Sequence, residues 1–186
     1  MNPNSPSREP IMQGDRALVL DGSLGYCIVA IVEMRDGKLV CVAEDLHYDR
    51  PLLRRISTLA PDAADRAALT SVVVGVGPGS YSGVRVAASA AVGIAAALKL
   101  PLRECASDRA LWQAAQRTLS IALGARESLE VAADGAFVLP RETASSQLSR
   151  EESRSTVACA LVRAAGAPVA QITLRYPAVA RGSEAN

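Results

Sequence analysis

The sequence predicts a mixed α/β protein, and three observations lead to this fold class. Three extended segments open the chain, and Asp36-Gly37 between the second and third suits a tight hairpin turn. A buried apolar run, residues 71–77, is followed by a glycine-rich turn and a long apolar helix. Strand-like and helix-like segments then alternate as far as residue 176, as in sheets covered by helices.

Composition limits the class of function. The 186 residues include 20 basic and 19 acidic side chains, a net charge of +1, and 49% are hydrophobic, which is typical of one or two small globular domains. This charge balance argues against autonomous nucleic-acid binding, and an aromatic content of 3% argues against a base-stacking platform. The four cysteines lack Cys-x-x-Cys spacing, so we expect free thiols in a reduced, cytoplasmic setting. We expect neither a signal peptide nor a membrane span.

The first half of the chain has strong local signals. Residues 1–16 carry prolines without apolar periodicity and predict a disordered tail, followed by strands over 17–21, 26–34 and 38–43. A helix is expected from Asp49-Arg50-Pro51 to Pro61, because Pro is tolerated in a first turn. Its apolar side would cover the sheet while Arg54 and Arg55 project away. That side consists of Leu52, Leu53, Ile56 and Leu59.

The alternation continues more weakly after residue 71. The run 71–77 predicts a central strand, 84–100 a helix that stops before Pro101, 101–105 a strand, and Ser107 the cap of another helix. Strands are expected at 120–125 and 129–140, with a turn at Asp134-Gly135. A loop over 140–150, a helix over 148–166 and a closing strand over 170–176 follow.

Two turns are candidates for anion binding. The glycine-rich turn lies between a buried strand and a helix start, where backbone amides can hold a phosphate. It contains Gly77, Gly79, Ser80 and Gly83. Asp21, Gly22 and Ser23 form an acidic turn after the first strand, of the kind that approaches phosphates in actin-like nucleotide-binding folds. Without a Gly-Lys-Ser/Thr sequence, both also fit plain structural turns.

The single histidine, His47, excludes sites that need two, such as a His-Glu-x-x-His zinc site. No Gly-x-Ser-x-Gly elbow is present to partner it in a catalytic triad, and a surface or capping role is the simpler interpretation. The sequence therefore names no catalytic residue and no metal ligand.

The helix after the glycine-rich turn has two apolar sides. Val84, Ala87, Ala91 and Ala95 fall on one side, and the opposite side is small and uncharged. This second side, which we call the small-residue face, comprises Ser82, Val86, Ser89, Gly93 and Ala97. Either a partner helix covers it or the helix is enclosed within one larger core. With Leu52, Leu53 and Ile56, the small-residue face is the expected partner interface.

The segment VVVGVGPGSYSGVRVAASAAVGIAAALKLPL resembles the signature of the TsaB, or YeaZ, proteins: a strand, Gly-x-Gly-Pro-Gly-Ser-aromatic-Ser/Thr-Gly-Val-Arg, and a small-residue helix. LVLDGS, EDLHYDRPLL, SDRALWQAA and ITLRY agree more loosely. The resemblance implies an actin-like, ribonuclease H-like fold with a first lobe over 17–106. A second lobe over 107–186 would be abbreviated, because only residues 140–186 remain after its hairpin.

The resemblance also implies a function. TsaB-like proteins are non-catalytic scaffolds that bind the catalytic subunit TsaD in forming N6-threonylcarbamoyladenosine at tRNA position 37, together with the small ATPase TsaE. It implies no cofactor of the chain's own and contact with tRNA only through the complex. The alternatives are a divergent paralogue that pairs with itself as a homodimer, and an actin-like phosphotransferase that binds ATP.

Overall fold

A computed structural model of the protein describes residues 12–24, 27–45, 47, 49–123, 126–140, 154–176 and 178–179. The first sheet has five strands in the order β3-β2-β1-β4-β5, with β1 to β3 antiparallel and β4 and β5 parallel to β1. The strands are β1 (Arg16–Asp21), β2 (Ile28–Arg35), β3 (Lys38–Glu44), β4 (Ser71–Gly75) and β5 (Leu102–Cys105).

The central position of β4 follows from its sequence. Val73 contributes to the hydrophobic core on one face of the sheet, and Val72 and Val74 to the core on the other. A strand buried on both faces reads as a continuous apolar run, because neither face meets water. The predicted opening meander and the predicted central strand are both confirmed.

Two helices cover one face of this sheet. Helix α1 (Leu52–Leu59) packs on β2 and beside α3 (Tyr81–Leu98), which crosses β1, β4 and β5. Val84, Ala87, Ala91 and Ala95 of α3 are buried, as its periodicity predicts. The predicted connector between α1 and β4 contains a short helix, α2 (Ala63–Ala67), which begins where the Asp62 carboxylate accepts from the Asp65 amide at 2.8 Å.

Helix α3 alone, among the described residues, is long and apolar enough by composition to cross a membrane, with a mean hydropathy of 1.4. Its buried residues, however, pack against the strands of a mixed sheet. The helix is therefore a layer of the fold and not a membrane span.

The opposite face of the first sheet carries α5 (Arg154–Ala164), and α4 (Ser107–Ala115) packs against α5. A second sheet, in the order β6-β7-β8-β9, packs against α4. Its strands are β6 (Leu119–Ala122), β7 (Glu127–Ala132), β8 (Gly135–Pro140) and β9 (Ala178–Val179). Helix α5, predicted to belong to the second lobe, lies across the first sheet. Both sheets share one hydrophobic core, so the predicted division after residue 106 does not separate two cores.

Several predicted boundaries differ from the structure. Residues 12–15, predicted to be disordered, form a turn in which the Gly14 amide donates to Met34 O at 3.0 Å; residues 1–11 lie outside the described part. The predicted strand over 170–176 is wrong. The Thr173 amide donates to the Glu104 carboxylate and the Arg175 amide donates to Val76 O. These isolated hydrogen bonds do not form the regular pairing of a β-strand. Of the predicted loop over 140–150, only Pro140 is described, as the last residue of β8, and residues 141–150 and 180–186 lie outside the described part.

The predicted outward direction of Arg55 is also wrong. Its side chain is 3% exposed, and Nε donates to the Asp45 carboxylate at 2.8 Å. Nη2 donates to Cys27 O at 2.8 Å and to Asp45 O at 2.9 Å. A guanidinium can be buried here because a carboxylate and two carbonyl groups surround it. Conversely, Leu53, predicted to lie on the apolar side of α1, is 64% exposed.

Candidate functional site

The seven residues predicted to form anion-binding turns lie together. Strands β1 and β4 are parallel neighbours, so the turns that follow them meet at the same edge of the sheet. The Ser80 amide donates to Ser23 O at 2.8 Å and thereby joins the two turns. We call this place the turn junction, formed by residues 21–23 and 77–83.

Glycine is required at the turn junction by close backbone contact. A Cβ on Gly22 would collide with the backbone of Gly83, and one on Gly83 with the carbonyl of Gly22. A Cβ on Gly79 would lie 2.6 Å from the Cβ of Ser23. These glycines therefore let the two turns pack backbone against backbone.

Amides at the turn junction have acceptors within the protein. Ser23 N donates to the Asp21 carboxylate at 2.7 Å, and Gly83 N to the Ser80 hydroxyl, the N-cap of α3, at 3.4 Å. Gly77 N donates to the Ser107 hydroxyl at 3.0 Å. Ser107 was predicted to cap α4, but it is the first residue of that helix and its hydroxyl serves the glycine-rich turn instead. Anion binding stays a prediction, and these amides would have to be released for it.

Asp21 is the charged group of the turn junction and is fully buried. Neither its Oδ2 nor the Ser23 hydroxyl has a hydrogen-bond partner in the described part of the chain. Burial raises the pKa of Asp21 above its usual value, and interactions with Ser23 and Ser107 oppose the shift only in part. Because this carboxyl is fully buried, it cannot reach a ligand in this conformation.

The small-residue face of α3 is open. All five of its residues, Ser82, Val86, Ser89, Gly93 and Ala97, are exposed. A Cβ on Gly93 would meet nothing within 4 Å. Within the described part of the chain, therefore, no larger core encloses this side of the helix. Of the three α1 residues predicted at the same interface, Leu53 is exposed, Leu52 is half-buried and Ile56 belongs to the core.

Sequence reasoning missed a cluster beside this face. The Arg85 guanidinium lies 3.8 Å from the centre of the Tyr81 ring, and its Nε donates to the Tyr176 hydroxyl at 3.2 Å. The two tyrosine rings are 5.3 Å apart between centroids. Tyr81 and Arg85, four residues apart at a helix start, give a local signal for a pair. Tyr176 gives none, because it arrives from the C-terminal segment.

Other reactive groups are dispersed or protected. No cluster of three or more His, Cys, Asp or Glu side chains suited to a metal ion occurs within the described ranges. Burial raises the pKa of Cys27 to about 11, and that of Cys41 likewise to about 11, so both thiols stay protonated at neutral pH. His47 is exposed and its backbone amide donates to the Asp45 carboxylate at 3.0 Å.

A cavity of about 870 Å³ lies at the opposite end of the first sheet. Ala17, Val73 and Val162 contribute apolar surface to it, and Lys38 and Arg163 contribute charge. None of the residues predicted from sequence to form a site lines it.

The five-stranded sheet with an antiparallel opening meander, two parallel strands and helices on both faces is the actin-like, ribonuclease H-like fold that the sequence predicts. The family model described as TsaD, tRNA N6-adenosine threonylcarbamoyltransferase, matches residues 52–172, which is more than half of the chain. The chain therefore belongs to this family. The predicted resemblance to TsaB, or YeaZ, proteins is supported by this match, and the match supports a role in the tRNA modification that the family's name describes.

Solved structures give further similarities. YeaZ from Pseudomonas aeruginosa is 23% identical, with a TM-score of 0.48 over 74% of this chain and 72% of that chain. An uncharacterized protein with similarity to peptidase YEAZ from Pseudomonas aeruginosa is 22% identical, with a TM-score of 0.49 over 75% and 73%. RuvC from T. thermophilus, in complex with a Holliday junction substrate, is 10% identical, with a TM-score of 0.43 over 83% and 99%. A search of the curated proteins finds no match.

Proposed function

We propose that this protein is a non-catalytic subunit that binds a TsaD-like protein and supports its threonylcarbamoylation of adenosine 37 in tRNA. The observation that carries the proposal is the exposed, uncharged side of α3, which lies inside the segment matched by the family model. From Val86 to Leu98 the helix has no charged residue, although Val86 and Val92 are 55% and 47% exposed. Apolar surface of this kind on a soluble domain marks a contact with another protein.

The shape of this side suits a second helix. Ser89, Gly93 and Ala97 follow one another at intervals of four residues and carry little or no side chain. Two helix backbones approach closely where such residues meet, and the contact then gains dispersion energy over its whole length. We assign the partner's contribution to a helix of the TsaD-like subunit, which is expected to share the actin-like fold.

The turn junction favours a scaffold over an independent phosphotransferase. Phosphoryl transfer needs an open cleft, charge that neutralises phosphate, and a bound Mg²⁺. Here Asp21 is inaccessible, and the junction amides named above donate to acceptors within the chain. In the proposed assembly the TsaD-like subunit would hold metal and substrates, a TsaE-like ATPase would join the pair, and tRNA would bind only to the complex in the cytoplasm.

Gly93→Arg tests the interface. Because nothing lies within 4 Å of a Cβ at this position, the isolated variant should fold normally. A guanidinium buried without a partner costs several kcal/mol, so affinity for the TsaD-like protein of the same cell should fall by about a hundredfold or more. Calorimetric titration measures the affinity, and circular dichroism checks folding.

Gln113→Arg is the matched control, since Gln113 is an exposed helical residue on α4, which packs against α5 and the second sheet. It should bind the partner like the original protein. Equal binding by both Arg variants would refute the interface. If the original protein does not bind the TsaD-like protein but forms homodimers, and the Gly93→Arg variant is monomeric, the homodimer alternative holds instead.

A cellular measurement completes the test. Depletion of the protein should lower N6-threonylcarbamoyladenosine in total tRNA, as measured by mass spectrometry of nucleosides. A plasmid carrying Gln113→Arg should restore the nucleoside, and one carrying Gly93→Arg should not. Unchanged nucleoside after complete depletion would place the chain outside this reaction.

A further inference from the structure

Three exposed side chains form what we call the Tyr–Arg–Tyr cluster: Tyr81, Arg85 and Tyr176. Tyr81 is 57% exposed, Tyr176 is 47% exposed, and Arg85 is also exposed. The Arg85 guanidinium stacks on the Tyr81 ring at 3.8 Å and lies 5.9 Å from the centre of the Tyr176 ring. Exposed tyrosines in contact with an arginine are characteristic of the residues that dominate protein interfaces.

The cluster is held in place before any partner arrives. Tyr81 is the first residue of α3, and Arg85 lies one turn later on the same helix. The chain before Tyr176 is fastened by Arg175, whose amide donates to Val76 O at 2.7 Å and whose side chain pairs with Asp108 at 2.9 Å. Because these side chains are already ordered, binding through them loses little conformational entropy.

The charge of Arg85 is not neutralised by an acid. No carboxylate pairs with it within the described residues, in contrast to Arg35, Arg55 and Arg175, which all have one. A guanidinium carries five N–H donors in a planar fork, and Tyr176 takes the one on Nε. The fork suits a carboxylate, which accepts two parallel hydrogen bonds.

The cluster borders the small-residue face. On a helical projection, Val92 lies between Tyr81 and Arg85, and Ala96 follows Arg85 towards Ser89 and Gly93. Val92 and Ala96 are both exposed, so one continuous uncharged surface begins at the cluster. A surface that binds RNA needs clustered basic residues to contact the phosphate backbone, and the uncharged surface beside this cluster provides none. The surroundings therefore favour a protein.

We propose that the Tyr–Arg–Tyr cluster binds a carboxylate side chain on the TsaD-like partner and anchors one end of the α3 interface. The guanidinium of Arg85 makes the ion pair, and the two tyrosines orient it and exclude water around it. This inference rests on the proposed function, to which it adds a charged contact and the acidic chemistry of the partner's surface.

The experiment measures the affinity of the full chain for the TsaD-like protein by calorimetric titration at about 0.05 and 0.5 M salt. At low salt, Arg85→Ala should weaken binding about tenfold or more, and Arg85→Lys should restore little because an ammonium lacks the planar fork. Tyr176→Phe keeps the ring and removes the bond to Nε, so a loss of about two- to fivefold is expected. Arg109→Ala, which removes an exposed arginine of α4, is the control and should bind normally.

The outcomes separate the two proposals. If the original protein binds and Arg85→Ala binds equally well, the carboxylate contact is refuted while the proposed function stands. If the original protein does not bind, the proposed function fails. The ion pair is also refuted if the affinity of Arg85→Ala for the TsaD-like protein depends on salt as strongly as that of the original protein. It is refuted as well if Arg85→Ala loses affinity for free tRNA but not for the TsaD-like protein. Thermal melts of Arg85→Ala and Tyr176→Phe should match the original, since both side chains are exposed.

Discussion

Asp21 illustrates how one buried group makes stability depend on pH. Its pKa is raised in the folded protein by burial, so the folded state holds a proton that the unfolded state releases. Stability from this group is complete below the unfolded pKa, for which the ordinary value is 3.8, and it is lost as pH rises through the folded pKa. Above the unfolded pKa, this buried carboxyl therefore lowers the stability of the folded state.

Asp21→Asn should remove this penalty. The amide oxygen can still accept from Ser23 N, and the substitution removes the charge that burial disfavours. The variant should melt at a higher temperature than the original at pH 7, and the difference should vanish towards pH 3. Calorimetric melts across this range measure it. Asp134→Asn changes an exposed turn carboxyl and serves as the control. A variant that is less stable than the original at pH 7 would show that Asp21 folds in its ionised form.

At the scale of elements, Arg55 fastens helix α1 to the first sheet. One guanidinium joins α1 to the residue after β3 and to the connection between β1 and β2. Removing one member of a buried ion pair leaves the other charge without a partner, which costs about 3–5 kcal/mol. The helix has only eight residues, so it depends on such contacts more than on its own propensity.

Arg55→Ala should accordingly lower the free energy of unfolding by about 3–5 kcal/mol, measured by urea denaturation. The neighbouring Arg54 is exposed on the same helix, and Arg54→Ala should change stability by less than about 0.5 kcal/mol. Equal effects of the two substitutions would mean that the buried pair contributes nothing to the fold.

Elements with a local signal could be predicted, and those defined by distant contacts could not. A continuous apolar run predicts strand β4, and a clear helical periodicity predicts helix α3. The two candidate turns could also be named from their residues, whereas their meeting depends on the parallel pairing of β1 and β4 that the structure shows. By contrast, the burial of Arg55 depends on Asp45 and a carbonyl on another element, and the segment before Tyr176 is shaped by single contacts to Glu104 and Val76. No pattern in those segments encodes such contacts.

At the scale of the whole molecule, α5 contributes to the hydrophobic core that the two sheets share. Leu161 of α5 is fully buried in the core that also contains Val19 of the first sheet and Leu129 of the second. Leu161→Ala should lower the free energy of unfolding by about 2–5 kcal/mol. Trp112, the only tryptophan, packs against this core and reports on it by fluorescence, while circular dichroism reports on the backbone.

The two signals should shift together in Leu161→Ala, because a shared core unfolds as one unit. Thr156→Ala alters an exposed residue of the same helix and should change stability by less than about 0.5 kcal/mol. Separate transitions in fluorescence and circular dichroism would show that the sheets fold independently after all.

The return of α5 to the first sheet also affects how the chain emerges from the ribosome. All five strands of that sheet are synthesised by Cys105, yet α5 ends only at Ala164. Synthesis proceeds at about 5–20 residues per second, so one face of the sheet stays uncovered for several seconds before α5 is complete. Val19, Ala30 and Val73 lie on this face. During that interval the nascent chain exposes an apolar sheet face that is prone to aggregation. General chaperones that bind exposed apolar surface should therefore determine how much of the protein reaches its native state.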